Sequence, residues 1–294
     1  MTTEPVVVVG AGQAGGEFVA ALRSAGSPTP IVLIGAEPMH PYHRPPLSKA
    51  YLLGEAEMAD LALRDTSMYE REGIRVMLGE SVQSIDRAAH TVTLESGTQV
   101  RYSTLVLATG GRPRRLPVAE LERASNLHYL RTIDDVEGLR TSLRPGSRLA
   151  IIGGGYIGLE IASVARRIGV EVTVVEAQSR VLARVTSEPM SHYFTRLHRD
   201  RGVDVRVDAS IHRYEFDSRG DVRAIVLADG TTIQTDAVLV GIGLVPNTEL
   251  AEAAGLEVDN GVVVDDLLRT SDVDIYAIGD IARQPDPTQG SRRV

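Results

Sequence analysis

Val6-Val-Val-Val-Gly-Ala-Gly-Gln-Ala-Gly15 decides how the chain is read. Four β-branched residues make a buried strand. Gly10, Gly12 and Gly15 follow in the spacing G-x-G-x-x-G. A helical pattern begins directly after them, with Phe18, Val19, Ala21 and Leu22 on its apolar side. In that context the first glycine permits a tight turn, and the second admits a pyrophosphate to the backbone. The third lets helix and strand pack closely, while the helix N-terminus offers N–H groups and partial positive charge. An isolated motif of this kind could be an ordinary strand–loop–helix turn. Strand, glycines and helix together argue for a dinucleotide site.

The pattern occurs twice. Leu149-Ala-Ile-Ile-Gly-Gly-Gly-Tyr-Ile-Gly158 repeats it, with Gly153, Gly155 and Gly158 matching Gly10, Gly12 and Gly15 at one constant offset. Ser96 to Gly110 is likewise echoed by Asp229 to Gly243. Each begins with a polar glycine turn and ends in a buried strand closed by glycine. Ala108, Thr109 and Gly110 end the first copy and Gly243 ends the second, so all four are candidate cofactor contacts. Two dinucleotide units imply two dinucleotides, most economically a flavin that stays and a nicotinamide that exchanges.

The 294 residues suffice for two domains with real cores. Net charge is −8, which argues against general nucleic-acid binding. There is no cysteine, so disulfides, thiolate metal sites and redox-active thiols are excluded within this sequence. Met1-Thr-Thr-Glu-Pro5 has no basic region before an apolar core, and no signal peptide is expected. Leu149 to Ala165 is the most apolar stretch, but its glycines and Glu160 suit a buried strand and helix better than a membrane span. His192 and His198 read as helix-face histidines, and no metal is expected.

Along the chain, the first helix should end near Gly26, and Ile31-Val-Leu-Ile34 is the second strand. Glu37 follows it, either as the acid that meets the adenosine ribose or as a surface carboxylate. Pro41 to Leu52 carries Arg44 and Lys49, either exposed loop charges or cations beside a phosphate or flavin. Its two prolines fix an extended segment, and Ser48 can cap a short helix. Ser84 to Val100 reads as a β-meander. Gly111 to Arg115 is a crossover between domains, solvated or in contact with phosphate or partner. Tyr156 and Ile157 open the second helix beside its glycines. Glu160 follows them, either facing solvent or serving the site. Glu176 ends the next strand, where a carboxylate accepts the ribose hydroxyls of NAD and repels the 2′-phosphate of NADP. No basic residue directly follows it, although Arg180 and Arg184 come later.

The order GAGQAGGE, YHRPPLSKAYL, LATGGRPR, IIGGGYIGLE, GIGLVPNT, IYAIGD resembles the FAD-dependent NADH:ferredoxin reductases of bacterial oxygenase systems. These are the putidaredoxin-reductase-like and rubredoxin-reductase-like proteins. The resemblance runs from residue 6 to about residue 290, and R-P-P-L-S-K is its most specific part. It implies that Gly10, Gly12, Ala14 and Gly15 hold the FAD pyrophosphate, with the backbone at Val82 near the adenine. It places Arg44 near the ribityl-phosphate, Lys49 near the flavin ring, Arg131 on the flavin and Asp280 on a ribityl hydroxyl. Glu160 would stand beside the nicotinamide, close to Lys49. Relatives carry the ribose acid directly after the glycine of the second strand, where this chain has Ala36.

The expected architecture is α/β, with two Rossmann-like domains. Residues 1–110 and 244–294 would bind FAD, and the inserted 111–243 would bind NAD(H). The expected protein is cytoplasmic and passes electrons from NADH through FAD to a two-iron ferredoxin, with rubredoxin or a quinone as alternative acceptors. A non-catalytic dinucleotide-binding fragment is the reading of another class. The resemblance further implies a helix and a third domain of about a hundred residues after the GD motif. With neither in this sequence, FAD is expected to be held weakly, mainly by its ADP half, and electron transfer to ferredoxin to be poor.

Overall fold

The computed structural model describes residues 4–285 and the backbone of the strand Arg292–Arg293. Residues 1–3, 286–291 and 294 lie outside the described residues. The chain divides into two compact units. Met1–His43, Ala59–Arg112 and Val245–Val294 form the first, and Arg44–Met58 with Pro113–Leu244 form the second.

In the first unit Val6–Val9 is the central strand of a five-stranded parallel sheet. The order across it is Ile275–Ala277, Thr104–Leu107, Val6–Val9, Ile31–Gly35, Ile74–Leu78. Period-two alternation sends successive side chains to opposite faces. Val6 and Val8 join Val19, Leu33 and Tyr69 in the core that includes the helix Gln13–Ser24. Val7 and Val9 join Val92, Leu94 and Leu105 in a second core. That core is closed by an antiparallel meander of Val82–Asp86, Thr91–Leu94 and Gln99–Arg101. Both faces of the sheet are thus covered, which is why its strands are almost uniformly apolar. Each fully buried Val or Leu contributes on the order of 1.5–3 kcal/mol. The first helix buries Gly15, Gly16 and Val19, whereas Ala21, expected on its apolar side, is exposed. Close packing over glycine narrows the covered stripe to less than the sequence pattern suggests.

The second unit repeats the plan. Its parallel sheet runs Asp204–Arg206, Glu171–Val175, Arg148–Ile152, Ala237–Val240, Leu127–His128. A meander of Ile211–Phe216, Val222–Leu227 and Thr232–Gln234 again covers one face, with Ile225 and Leu227 packed against Ala150 and Ile152.

The segment 44–58, which the sequence boundaries leave with the first domain, groups with the second unit. Tyr51 Oη donates to Glu137 at 2.8 Å, and Arg140 lies over the Tyr51 ring and donates to its carbonyl. Glu55 pairs with Arg167 at 2.6 Å. These contacts join distant stretches that no local pattern relates.

Two predictions follow from packing. A Cβ on Gly158 would sit 2.2 Å from the Gly153 carbonyl oxygen, so backbone must move to admit it. Gly158→Ala should cost roughly 2–4 kcal/mol in urea denaturation, and an unchanged midpoint would contradict the packing. Burial holds His128 and His198 below their ordinary value of 6.5. The unfolded chain therefore takes up these protons first, and stability should fall as pH drops below about 6.5. The fall in urea midpoint between about pH 7.5 and about pH 5.5 should shrink when both are replaced by Asn.

Candidate functional site

The two glycine cradles lie at equivalent points, each at the carboxyl end of a central strand where the strand order reverses. Such switch points are where open α/β sheets take ligands. At the first, Gly10 has φ +115°, and a Cβ there would stand 2.2 Å from the Ala108 carbonyl oxygen. Gly15 is as tight, its Cβ meeting the Gly10 carbonyl at 2.0 Å. The helix Gln13–Ser24 is capped by Gly12 with no side-chain acceptor and has no acid in its first turn. Its leading N–H groups lack helical partners and suit an anion.

Other first-unit residues gather at this end. A Cβ on Gly279 would lie 2.7 Å from that of Ala14, so the turn Gly279–Ile281 brings the exposed Asp280 beside the helix start. Thr109 and Asn247 hold each other, with Thr109 Oγ1 donating to the Asn247 carbonyl and Asn247 Nδ2 to the Thr109 carbonyl, both at 2.9 Å. The loop Ala108–Gly110 is thereby fixed, and Asn247 is a residue that sequence reasoning missed. The sequence showed it only within the motif GIGLVPNT and at the opening of a short helix.

Glu37 differs in register from Glu176. Gly10 N–H donates to the Ile34 carbonyl and Gly153 N–H to that of Val175, so Gly35 occupies the place of Glu176. Glu37 stands further along the loop, where Tyr42 Oη donates to it at 2.6 Å. Gly79 N–H donates to the Glu37 carbonyl and Glu80 N–H to that of Gly35, so the chain leading to Val82 reaches the same edge.

In the second cradle Gly153 has φ +105°, and its Cβ would meet the Gly241 carbonyl at 2.4 Å. Gly155 caps the helix Tyr156–Ile168, again with no side-chain bond. Glu176 is tied to the loop at both oxygens, Oε2 accepting from Gly154 N–H at 2.7 Å and Oε1 from Gln178 N–H at 2.8 Å. Tyr156 and Ile157 stand exposed at the helix start, 56% and 41%. The Arg184 guanidinium lies 3.5 Å from where a Gly243 Cβ would be, so these two candidates adjoin.

Also in the second unit, Lys49 Nζ lies 2.6 Å from Glu160 Oε2. Ser48 was expected to cap the following helix. Instead it ends the turn Pro45–Ser48, and its hydroxyl donates to the same Glu160 oxygen at 2.5 Å. Lys49 is the cap residue of the helix Ala50–Leu53, but its side chain does not bond to the helix start. Two prolines and the buried Leu47 hold the turn so that Ser48 points away from the helix start. Arg44 donates to the Arg131 carbonyl at 2.5 Å. Arg131 is itself placed by Asp135, which accepts from the N–H groups of Arg131 and Thr132 in a capping box.

Among the described residues no group of three or more His, Asp or Glu could hold a metal ion, and no helix is long and apolar enough to cross a membrane. His192 is exposed beside Glu188, and His198 is buried.

Paired glycine cradles at paired switch points define a protein that takes two dinucleotides. The chain belongs to the pyridine nucleotide-disulphide oxidoreductase family, whose model matches residues 4–293. It is 46% identical over 281 residues to putidaredoxin reductase of Pseudomonas putida, covering 95% of this chain and 67% of that protein. It is 42% identical over 290 residues to the anthranilate 1,2-dioxygenase system ferredoxin–NAD(+) reductase component of Burkholderia cepacia, covering 99% and 71%. The crystal structure of the covalent putidaredoxin reductase–putidaredoxin complex superposes with TM-score 0.96 at 43% identity, covering all of this chain and 71% of that one. The chain thus spans about two thirds of the length of these relatives.

FAD and NAD(H) are the cofactors of this family. The cradles fit them, because both have carbonyl-to-glycine contacts that leave no room for a Cβ and helix starts free of side-chain caps. With Glu176 beside the second cradle, a 2′-phosphate would meet like charge. NADH should be preferred to NADPH by about ten- to hundredfold, or roughly 1–3 kcal/mol. Flavin reduction rates with each nicotinamide at equal concentration measure this, and equal rates would remove Glu176 from the role.

Proposed function

We propose that the chain is a cytoplasmic flavoprotein oxidoreductase that passes electrons from NADH through FAD to a two-iron ferredoxin of an oxygenase system. The observation that carries this reading is the pair of matching cradles in a chain without cysteine. Two dinucleotides give a donor and a resident acceptor. No dithiol stands among these residues, which favours an external electron carrier. The relatives reported above, named for ferredoxin-coupled systems, support that carrier class.

The first unit would hold FAD. Gly10, Gly12, Ala14 and Gly15 would give backbone N–H groups to the pyrophosphate, with Glu37 on the ribose and the backbone at Val82 by the adenine. Ala108, Thr109, Gly110 and Asp280 would line the same cofactor. Arg44, Lys49 and Arg131 carry their flavin roles from the family resemblance. The second unit would hold NAD(H) on Gly153, Gly155, Tyr156, Ile157 and Gly158. Glu176, Arg184 and Gly243 would border it, and Glu160 would face the nicotinamide. When bound, FAD takes an electron pair from NADH and releases electrons singly, which a nicotinamide does not do. The protein's part is to hold each dinucleotide in its cradle and supply fixed charge.

The test is a visible spectrum of the chain loaded with FAD. NADH should bleach the flavin bands, and a two-iron ferredoxin should relay electrons to cytochrome c. No bleaching would refute an NADH-dependent flavoprotein, whereas turnover with rubredoxin or quinone alone would move the acceptor. Lys49→Ala should slow bleaching about ten- to hundredfold while FAD retention changes little. Parallel loss of FAD would show that Lys49 serves binding instead.

A further inference from the structure

Ser48 is the buried member of a three-residue ring whose other two members are the exposed Lys49 and the half-buried Glu160. Its residue is 2% exposed, whereas the side chains of Lys49 and Glu160 are 49% and 30% exposed. Ser48 Oγ lies 2.5 Å from Glu160 Oε2 and 3.2 Å from Lys49 Nζ, and Lys49 Nζ lies 2.6 Å from the same carboxylate oxygen. The sense of each bond follows from chemistry. An ammonium can only donate and a carboxylate only accept, so the hydroxyl accepts from Lys49 and donates to Glu160.

An exposed Lys–Glu pair on its own is weak and wanders among rotamers. Here one of the three groups cannot wander. Ser48 closes the turn Pro45–Ser48, in which two prolines restrict the backbone, and it follows the buried Leu47. Lys49 also donates to the Pro45 carbonyl at 3.2 Å, which ties the ammonium to the same turn. Glu160 comes from another part of the chain, on the helix Tyr156–Ile168. The hydroxyl is therefore the fixed point that sets where the carboxylate stands.

We infer that Ser48 is a positioning residue. Its hydroxyl orients the Glu160 carboxylate, and through it the Lys49 ammonium, for electron transfer from NADH. This rests on the function proposed above.

The experiment has two arms on the same 294-residue chain. In the first, melting temperatures are measured without cofactor for wild type, Ser48→Ala, Glu160→Ala and the double variant. Ser48→Ala should lower the melting temperature by about 2–4 °C alone and by less than half as much in the Glu160→Ala background, where the hydroxyl keeps only its long contact to the Pro45 carbonyl at 3.4 Å. In the second arm, FAD-loaded protein is mixed with NADH. Ser48→Ala should slow the limiting bleaching rate about three- to tenfold, with the half-saturating NADH concentration unchanged within about twofold. Ser48→Cys keeps the side-chain shape with a slightly larger atom and a weaker donor and should fall between, which serves if the alanine variant does not fold.

Equal thermal losses in both Glu160 backgrounds overturn the inference, as does a wild-type bleaching rate in a folded Ser48 variant. If wild type itself is not bleached, the proposed function fails. The thermal cycle then decides alone whether Ser48 orients Glu160.

Discussion

Each unit depends on a carbonyl oxygen occupying the space where a side chain would begin. At Gly10 it belongs to Ala108, and at Gly153 to Gly241. The contact brings the end of one central strand against the loop that leaves its neighbour. The loop can then turn sharply and hand the chain to a helix whose first N–H groups face outward. Any Cβ would separate strand and loop, and with them the helix start. The anion-binding geometry is therefore a packing result, made possible by what the glycines lack.

Around that constraint the units are built alike. Each central strand sends alternate residues to a helical side and to a meander side, so both faces are buried. The likeness ends at the acid. Glu176 lies directly beyond its strand and is tied into the glycine loop through Gly154. The matching place in the first unit is Gly35, whose own Cβ would collide with that of Ala11 at 2.4 Å. No carboxylate fits there, so Glu37 stands later in the loop and is bonded to Tyr42 instead. One plan, altered at one position, yields two loop edges that hold their carboxylates differently.

The segment 44–58 shows how candidate site residues are placed by contacts far along the chain. Its prolines make it stiff, and its anchors are Glu160, Glu137, Arg140 and Arg167. The pair of Lys49, exposed, and Glu160, half-buried, would contribute little alone. A buried hydroxyl between them changes that, because it gives the pair a fixed reference point.

From sequence by itself came the duplicated strand–glycine–helix unit, the mixed α/β class and the meander. Their signals are local, since a glycine spacing and a hydrophobic period are set by neighbours along the chain. The candidates Gly10, Gly15, Gly153, Gly158 and Glu176 were legible for that reason. The bond from Ser48 to Glu160, the brace of Thr109 by Asn247 and the grouping of residues 44–58 with the second unit were decided only in three dimensions. Each joins residues distant in the chain, and a hydroxyl or amide in a loop has many partners that local chemistry allows equally. Ser48 illustrates the limit. Its sequence position suits a helix cap, but the turn imposed by Pro45 and Pro46 aims its hydroxyl at a carboxylate on another helix.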